Sequence, residues 1–151
     1  MGIDKEPNSQ DKEKQKIAEQ EKFITENYPF DESGYSPEKI LDDAFLGFQV
    51  LEKRNEGTGE LEGVLTYDFE EDSEEEKFCK IGILLFTEEE RGMGLANDLF
   101  NKLVKIAKKE GCSYFTAKAD TEAGQNFLEN FGFEVRTDKA TGDEYCHLDI
   151  E

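Results

Sequence analysis

Residues 78–86 read FCKIGILLF, and residues 87–96 after them read TEEERGMGLA. The first stretch is almost wholly apolar, which predicts a central strand covered on both faces. The second stretch is a short polar turn with small residues at Gly92, Gly94 and Ala96. A helix of about 17 residues follows, with an apolar stripe and opposing lysines, until Gly111 ends it. This succession of strand, turn and helix decides the fold.

The turn between this strand and helix predicts an anion site. Small side chains at Gly92 and Gly94 leave backbone N–H groups uncovered, and N–H groups in the first turn of a helix have no intrahelical acceptor. They suit a phosphate, to which Arg91 can add a charge-assisted hydrogen bond. The sequence contains neither GxxxxGK[ST] nor GxGxxG, so it lacks the Walker and dinucleotide motifs. The alternative interpretation is a tight loop with a solvated Arg91.

Apolar periodicity and turn residues predict the other elements. Residues 1–20 form a polar tail that runs into a helix from about Gln10, and residues 21–151 form one domain. The order ααβββαβαββ predicts an α/β (α+β) fold, a mixed sheet with helices on its faces. The predicted helices are 10–28, 37–45, the long one and 121–130, and the predicted strands are 46–52, 61–69, 78–86, 112–119, 133–137 and 145–150.

The chain of 151 residues is strongly acidic, with a net charge of −19. Such a field argues against a nucleic-acid partner. It leaves two interpretations open: steering of a cationic substrate, or an acidic surface suited to a salt-rich cytoplasm. Cys79, Cys112 and Cys146 lie in strand-like stretches without metal spacing, which indicates reduced thiols and a cytoplasmic location. No signal-like start or long apolar run occurs, so we expect neither export nor a membrane span.

The spacing Arg-x-x-Gly-x-Ala at residues 91–96 resembles the pyrophosphate-binding turn of the GNAT superfamily of N-acetyltransferases. Residues 127–133, FLENFGF, are similar to that family's late helix ending in Gly-Phe. The similar region runs from about Phe78 to Phe133, and the remainder agrees in element order. The resemblance implies a mostly antiparallel sheet of about six strands, acetyl-CoA as co-substrate without a metal, and a primary amine of a small molecule or protein as acceptor. A homodimer is a possible assembly.

The resemblance also implies which residues hold acetyl-CoA. The central strand would splay from its parallel neighbour, and its free backbone groups would bond the pantetheine amides, as an added strand does. The turn and first helical residues would hold the pyrophosphate mainly through backbone. The implied cofactor-binding residues are Leu84, Leu85, Phe86, Arg91, Gly92, Met93, Gly94, Leu95, Ala96 and Asn126.

The customary catalytic groups of the family have no counterpart here. The usual glutamate position falls on Lys80, with Gly82 as its neighbour, and the usual tyrosine position falls on Leu128. An amine with a pKa near 10.4 is only about one part in 10³ neutral at pH 7, so a base or a water chain is wanted. The substitute candidates are three tyrosines, for which ordinary packing is the competing interpretation: Tyr145, Tyr114 and Tyr67.

The loop at residues 27–36 is the expected acceptor pocket. It offers Tyr28, Phe30 and Tyr35 beside Asp31 and Glu32, and aromatics with carboxylates suit a cationic amine. A core anchor flanked by solvated acids is the alternative. The sole histidine, His147, is interpreted as structural.

These observations predict an acetyl-CoA-dependent N-acetyltransferase. Two alternatives stay open. One is an acyl-CoA sensor that has lost turnover, which the missing tyrosine and glutamate motivate. The other is an interaction module whose acidic face docks a basic partner.

Overall fold

Three helices and then three strands open the chain in a computed structural model that describes residues 9–87, 94–119 and 121–151, and helices and strands alternate after them until a final pair of strands. The helices are α1 Ser9–Asn27, α2 Phe30–Ser33, α3 Pro37–Ala44, α4 Leu95–Glu110 and α5 Glu122–Asn130. The strands are β1 Gln49–Arg54, β2 Leu61–Glu71, β3 Lys77–Phe86, β4 Tyr114–Ala117, β5 Glu134–Thr137 and β6 Glu144–Asp149. None of the helices in these ranges is long and apolar enough to cross a bilayer.

The strands form one sheet in the order β1-β2-β3-β4-β6-β5. Only β3 and β4 pair in parallel, since α4 carries the chain back across the sheet between them; the other recorded pairs are antiparallel. The predicted fold class, a mixed and mostly antiparallel sheet flanked by helices, is therefore confirmed.

Several element ends differ from the sequence prediction for local reasons. The first strand begins at Gln49 rather than residue 46, because Gly47 takes a φ of +82° and Leu46 N–H closes the end of α3 on the Leu41 carbonyl. A one-turn helix, α2, lies in the loop after α1. Cys112 is not on a strand: its N–H bonds the Ala107 carbonyl and closes α4, so β4 is shorter than predicted.

The sheet separates two apolar clusters. The larger cluster packs α4 and α5 on one face through residues such as Phe100, Leu103 and Leu128. The smaller cluster packs α1 and α3 on the other face, over the β2 and β3 end of the sheet. The second face is thus covered by helices at one end only. On that face, no helix among the described residues lies over β4, β6 or β5.

A β-bulge in β3 changes which cluster its side chains enter. Leu65 pairs with Leu84 and Tyr67 with Ile81, so two residues of β3 stand opposite one residue of β2. Before the bulge, Ile81 points into the larger cluster, whereas Ile83, two residues later, points into the smaller one. Without the bulge, the two-residue period of a strand would place both on the same face.

The buried Thr66 holds this bulge in place. Its hydroxyl accepts a hydrogen bond from Ile83 N–H at 2.8 Å and donates to the Ala44 carbonyl at the end of α3. The side chain is fully buried, so water cannot replace either bond. Thr66 therefore ties the bulge in β3 to the helix above it.

We expect the Thr66→Val variant to lose about 2 kcal/mol of unfolding free energy, because it buries the Ile83 amide and the Ala44 carbonyl without a partner. Thr66→Ser keeps the hydroxyl and is expected to lose about 1 kcal/mol, the contribution of one buried methyl. Urea denaturation of both variants measures the difference. Equal losses would contradict the bridging role of the hydroxyl.

Candidate active site

The parallel ladder between β3 and β4 is short. It contains four residue pairs and ends at Ile81 and Ala117, at the bulge. β3 continues to Phe86 while pairing only with β2 among the described residues. The edge of β3 at residues 82–86 therefore has no second strand beside it among the described residues, although Ile83 N–H is taken by the Thr66 hydroxyl. A ligand could add at this edge as a strand does.

The strand at this edge is anchored from its other side. Phe86 pairs with Gly63 of β2, and a Cβ built on Gly63 would overlap the Phe86 ring. The ring thus fills the space left by the missing side chain. Leu84 also packs on the larger cluster, whereas Leu85 enters the smaller one. All three predicted cofactor residues of β3 are held by their side chains and can contact a ligand through backbone.

The N-terminus of α4 follows this edge in the chain. Gly94 is the N-cap, with a φ of +79° and no capping side chain among the described residues. Asp98 N–H reaches the Gly94 carbonyl at 3.3 Å, so the amides of Leu95, Ala96 and Asn97 precede the first intrahelical bond. Ala96 packs partly on the larger cluster. The predicted residues Arg91, Gly92 and Met93 lie outside the described residues.

Asn126, the remaining predicted cofactor residue, is exposed on α5. This helix starts with Thr121 as N-cap, whose side chain accepts from Gly124 N–H. It packs on the same face of the sheet as α4. The predicted cofactor residues that the structure describes thus come from one strand and from the two helices that cover one face, with Gly94 as the N-cap of the first.

The opposite face carries an open cleft of about 1070 Å³. Its floor is formed by the side chains of β3, β4 and β6, and its wall by α3. The β2–β3 hairpin at residues 70–76 and the loop between β5 and β6 close its ends. Three rings line the floor in a row: Phe78 stacks on Tyr114 with centroids 5.0 Å apart, and Tyr114 on His147 at 4.6 Å.

The cleft is acidic. Among its lining residues, ten are aspartates or glutamates and four are lysines or arginines. One of these lysines, Lys39, is paired with Asp43 at 2.7 Å. A positively charged molecule would therefore be attracted to this cleft, and an anion repelled.

The three tyrosine candidates lie in different places. Tyr145 and Tyr114 line the cleft, whereas Tyr67 is buried in the larger cluster on the other face. Tyr114 donates a hydrogen bond to Asp72 at 2.8 Å. Burial and, after it, this carboxylate raise the pKa of Tyr114, so its hydroxyl keeps its proton and secures the β2–β3 hairpin. Among the described residues, the hydroxyls of Tyr114 and Tyr67 have acceptors, Asp72 and Gln49, and none is recorded for that of Tyr145.

Leu128, Lys80 and Gly82, the residues at or beside the positions where the resemblance puts the family's acid and base, differ in their packing. Leu128 is buried in the larger cluster. Lys80 is exposed on the cleft floor, with its ammonium 5.9 Å from the Phe48 ring centre. A Cβ on Gly82 would overlap the Thr66 hydroxyl and lie 2.6 Å from the Ala44 carbonyl oxygen. There is accordingly no room for an acidic side chain at Gly82.

The loop expected to form the acceptor pocket contributes less than predicted. Only Tyr35 lines the cleft. Tyr28 and Phe30 pack against the smaller cluster instead, with ring centres 4.8 Å apart. The alternative of a core anchor is therefore correct for these two residues.

A histidine and an aspartate that sequence reasoning did not select lie together in the cleft. His147 Nε2 is 2.7 Å from Asp149 Oδ1. Both belong to β6 and are two residues apart, so strand periodicity places them on one face. That i, i+2 spacing was the available signal. The hydrogen bond from His147 lowers the pKa of Asp149, which stays ionised.

The cysteines offer no nucleophile. All three are buried and free. Burial raises the pKa of Cys79 to about 12, with further contributions from Cys112 and Asp68. The thiolate is the reactive form of cysteine, so Cys79 is inert at neutral pH.

The fold is similar to those of several solved acetyltransferase structures. The chain resembles a GNAT acetyltransferase from Staphylococcus aureus Mu50 (TM-score 0.70, 13% identity, 91% of this chain and 94% of that one). It also resembles the PaiA N-acetyltransferase from Thermoplasma acidophilum in complex with coenzyme A (TM-score 0.68, 15% identity, 89% of this chain and 93% of that one). A third similar structure is that of the ribosomal-protein-S18-alanine N-acetyltransferase from Escherichia coli (TM-score 0.63, 11% identity, 97% of this chain and 92% of that one).

At these identities the resemblance to solved structures shows the fold alone. No curated protein sequence matches the chain significantly. The profile described as the Acetyltransferase (GNAT) family, however, matches residues 12–133, which is most of the chain. The chain therefore belongs to the GNAT family of acetyltransferases.

Proposed function

We propose that this protein transfers the acetyl group of acetyl-CoA to a primary amine on a positively charged acceptor, a small molecule or a protein. The observation that carries the proposal is the position of the acidic cleft. Its floor includes Lys80, Ile81 and Gly82, where the β3–β4 ladder ends and the free edge of β3 begins. A thioester held along that edge would meet an amine held in the cleft.

The coenzyme side is supported by a strand edge without a second neighbouring strand among the described residues and by the N-terminus of a long helix. The edge at residues 82–86 suits the pantetheine amides, and the first amides of α4 suit the diphosphate, aided by the helix dipole by roughly 0.3–1 kcal/mol. The PaiA structure, which contains coenzyme A, has the same fold. We also propose that Asn126 and Arg91 contact the coenzyme, and this part of the proposal rests on the family resemblance.

The acceptor side is supported by charge and by relatives. The excess of carboxylates in the cleft favours an ammonium group. The E. coli neighbour is named for acetylating an alanine of a ribosomal protein, so a peptide amine is within the range of this fold. Tyr145 is our candidate for returning a proton to the thiolate that leaves.

The test is thiol release from acetyl-CoA with a panel of amines. We expect kcat/KM for di- and polyamines or lysine-rich peptides to fall about tenfold or more from low to high salt, because salt screens the attraction of the cleft. An uncharged nucleophile, such as hydroxylamine at pH 7, is the control and should respond weakly. The same salt response for both would contradict acceptor steering.

The sensor alternative is motivated by the buried Leu128, which leaves no hydroxyl at the usual position of the acid. Calorimetry separates the two functions. Acetyl-CoA binding without thiol release for any amine would favour the sensor. Absence of binding would favour an interaction module.

A further inference from the structure

We propose that His147, oriented by Asp149, is the general base that removes a proton from the acceptor ammonium. This inference rests on the proposed acetyl transfer and deepens it. It supplies a base that the usual family position, here occupied by Lys80 and Gly82, does not provide.

The first support is the location of His147 in the sheet. It pairs with Thr116 of β4, which pairs in turn with Lys80 of β3. The next row along these strands contains Ile81 and Ala117, the last pair of the β3–β4 ladder. His147 thus lies on the cleft floor, one row before the point where the free edge of β3 begins.

The second support is the state of the two ring nitrogens. Asp149 is ionised and accepts hydrogen bonds only, so Nε2 carries the proton and donates it at 2.7 Å. In the neutral ring Nδ1 then holds a lone pair. Within residues 9–87, 94–119 and 121–151, every buried side-chain nitrogen or oxygen has a partner. Since the hydrogen bond of His147 uses Nε2, its Nδ1 is not fully buried, and His147 lines the cleft.

The third support is the rigidity of the ring. His147 stacks on Tyr114 at an interplanar angle of 22°, and its side chain is 9% exposed against 76% for Asp149. Tyr114 is itself fixed by Asp72 and by the Phe78 ring. A base whose ring is oriented by a carboxylate on its other nitrogen is the arrangement of many acid–base catalysts.

The acidic cleft makes such a base necessary. Carboxylates that attract an ammonium also stabilise its protonated form and raise the pKa of the amine. Asp72 is not available as a base, because it accepts hydrogen bonds from Tyr114, Glu74 N–H and Glu76 N–H. The groups that face or adjoin His147 from the neighbouring strands are Asp149 and Tyr145 on β6, Glu134 and Arg136 on β5, Tyr114 and Thr116 on β4, and Lys80 on β3.

The proposed reaction removes two protons from the nitrogen of the acceptor ammonium. Nδ1 of His147 takes one proton from the ammonium, directly or through a water, and later releases it to solvent. The neutral amine nitrogen bonds to the thioester carbonyl carbon, and the carbon–sulfur bond breaks. The second proton of the amine is lost from nitrogen and is returned to the departing thiolate. An acetamide, free coenzyme A and one proton result.

The kinetic test compares two nucleophiles in the full-length protein. We expect His147→Gln, which can still bond Asp149, to lower kcat/KM for a cationic amine at pH 7 by roughly 10²-fold. For hydroxylamine, which is already neutral at that pH, the loss should stay below about threefold, since no proton must be removed first. Lys105→Gln, exposed on α4 and not among the residues that line the cleft, is the matched control.

The pH profile provides a second reading. For the cationic amine, kcat/KM should rise with pH along a limb that reports the base of the free enzyme. This limb should vanish in His147→Gln. Asp149→Asn should lower kcat/KM for the cationic amine more than for hydroxylamine, because the carboxylate that holds the Nε2 proton is lost. Asp149 is exposed, so this variant tests the pair even where His147→Gln fails to fold.

A third measurement, NMR of the imidazole nitrogens, needs no substrate. His147 is the sole histidine, so nitrogen NMR reports its tautomer without assignment. We expect protonated Nε2 and bare Nδ1 at high pH; a proton on Nδ1 would overturn the inference. Equal losses for both nucleophiles, or none for the cationic amine, would also overturn it while leaving acetyl transfer intact. No thiol release by the wild-type protein would overturn both.

Discussion

The Gly94→Val variant is expected to bind acetyl-CoA at least tenfold more weakly than the wild-type protein. Gly94 caps α4 with a φ of +79°, a conformation that costs an L residue roughly 1–2 kcal/mol and a β-branched one more. The strained backbone would leave this conformation and turn the amides of residues 95–97 away from the diphosphate. Any valine that remained would place methyl groups in space that is open in the structure.

The other end of the same helix provides a matched control. Gly111 has a φ of +82°, and a Cβ there also meets nothing within 4 Å. Gly111→Val should therefore cost similar unfolding free energy without affecting the coenzyme. Calorimetry with acetyl-CoA and urea denaturation of both variants separate binding from strain. Equal dissociation constants for the two variants would contradict a diphosphate site at the N-terminus of α4.

Gly82→Ala is expected to have the largest effect on stability, a loss of about 3 kcal/mol of unfolding free energy, at the upper end of ordinary overpacking. The new Cβ would overlap the Thr66 hydroxyl and lie 2.6 Å from the Ala44 carbonyl oxygen and 2.9 Å from Phe48 Cε2. A backbone carbonyl cannot rotate away. Rotation of Thr66 would break the two hydrogen bonds that hold the bulge.

The control for this substitution is Gly57→Ala in the exposed turn between β1 and β2. Its Cβ approaches only the Asn55 side chain, at 3.3 Å. We expect a change within about 0.5 kcal/mol, as is usual at the surface. Urea midpoints measured for both variants give the comparison. If Gly82→Ala were as stable as Gly57→Ala, the packing of the bulge described here would be wrong.

Much of the fold follows from short-range patterns. Ser36-Pro37-Glu38 predicts the start of α3, and the structure has Ser36 as its N-cap with Lys39 N–H bonded to the hydroxyl. The apolar run of β3 and the stripe of α4 predict their own elements because burial imposes a period on each. The ends were less predictable, since closures such as Cys112 N–H to the Ala107 carbonyl depend on geometry at the end of the helix.

The candidate site likewise has features that the sequence predicts and features that depend on the tertiary structure. The amino-acid sequence by itself determined the small residues after a buried strand and the family to which the chain is similar, because both depend on neighbouring residues. Only the tertiary structure decided that Tyr67 faces the core and Tyr145 the cleft, that Gly82 has no room for an acid, and that Asp149 orients His147. These outcomes depend on strand register and on a bulge held by Thr66 against Ala44, 22 residues away, and pairings at such separations leave no local period to recognise.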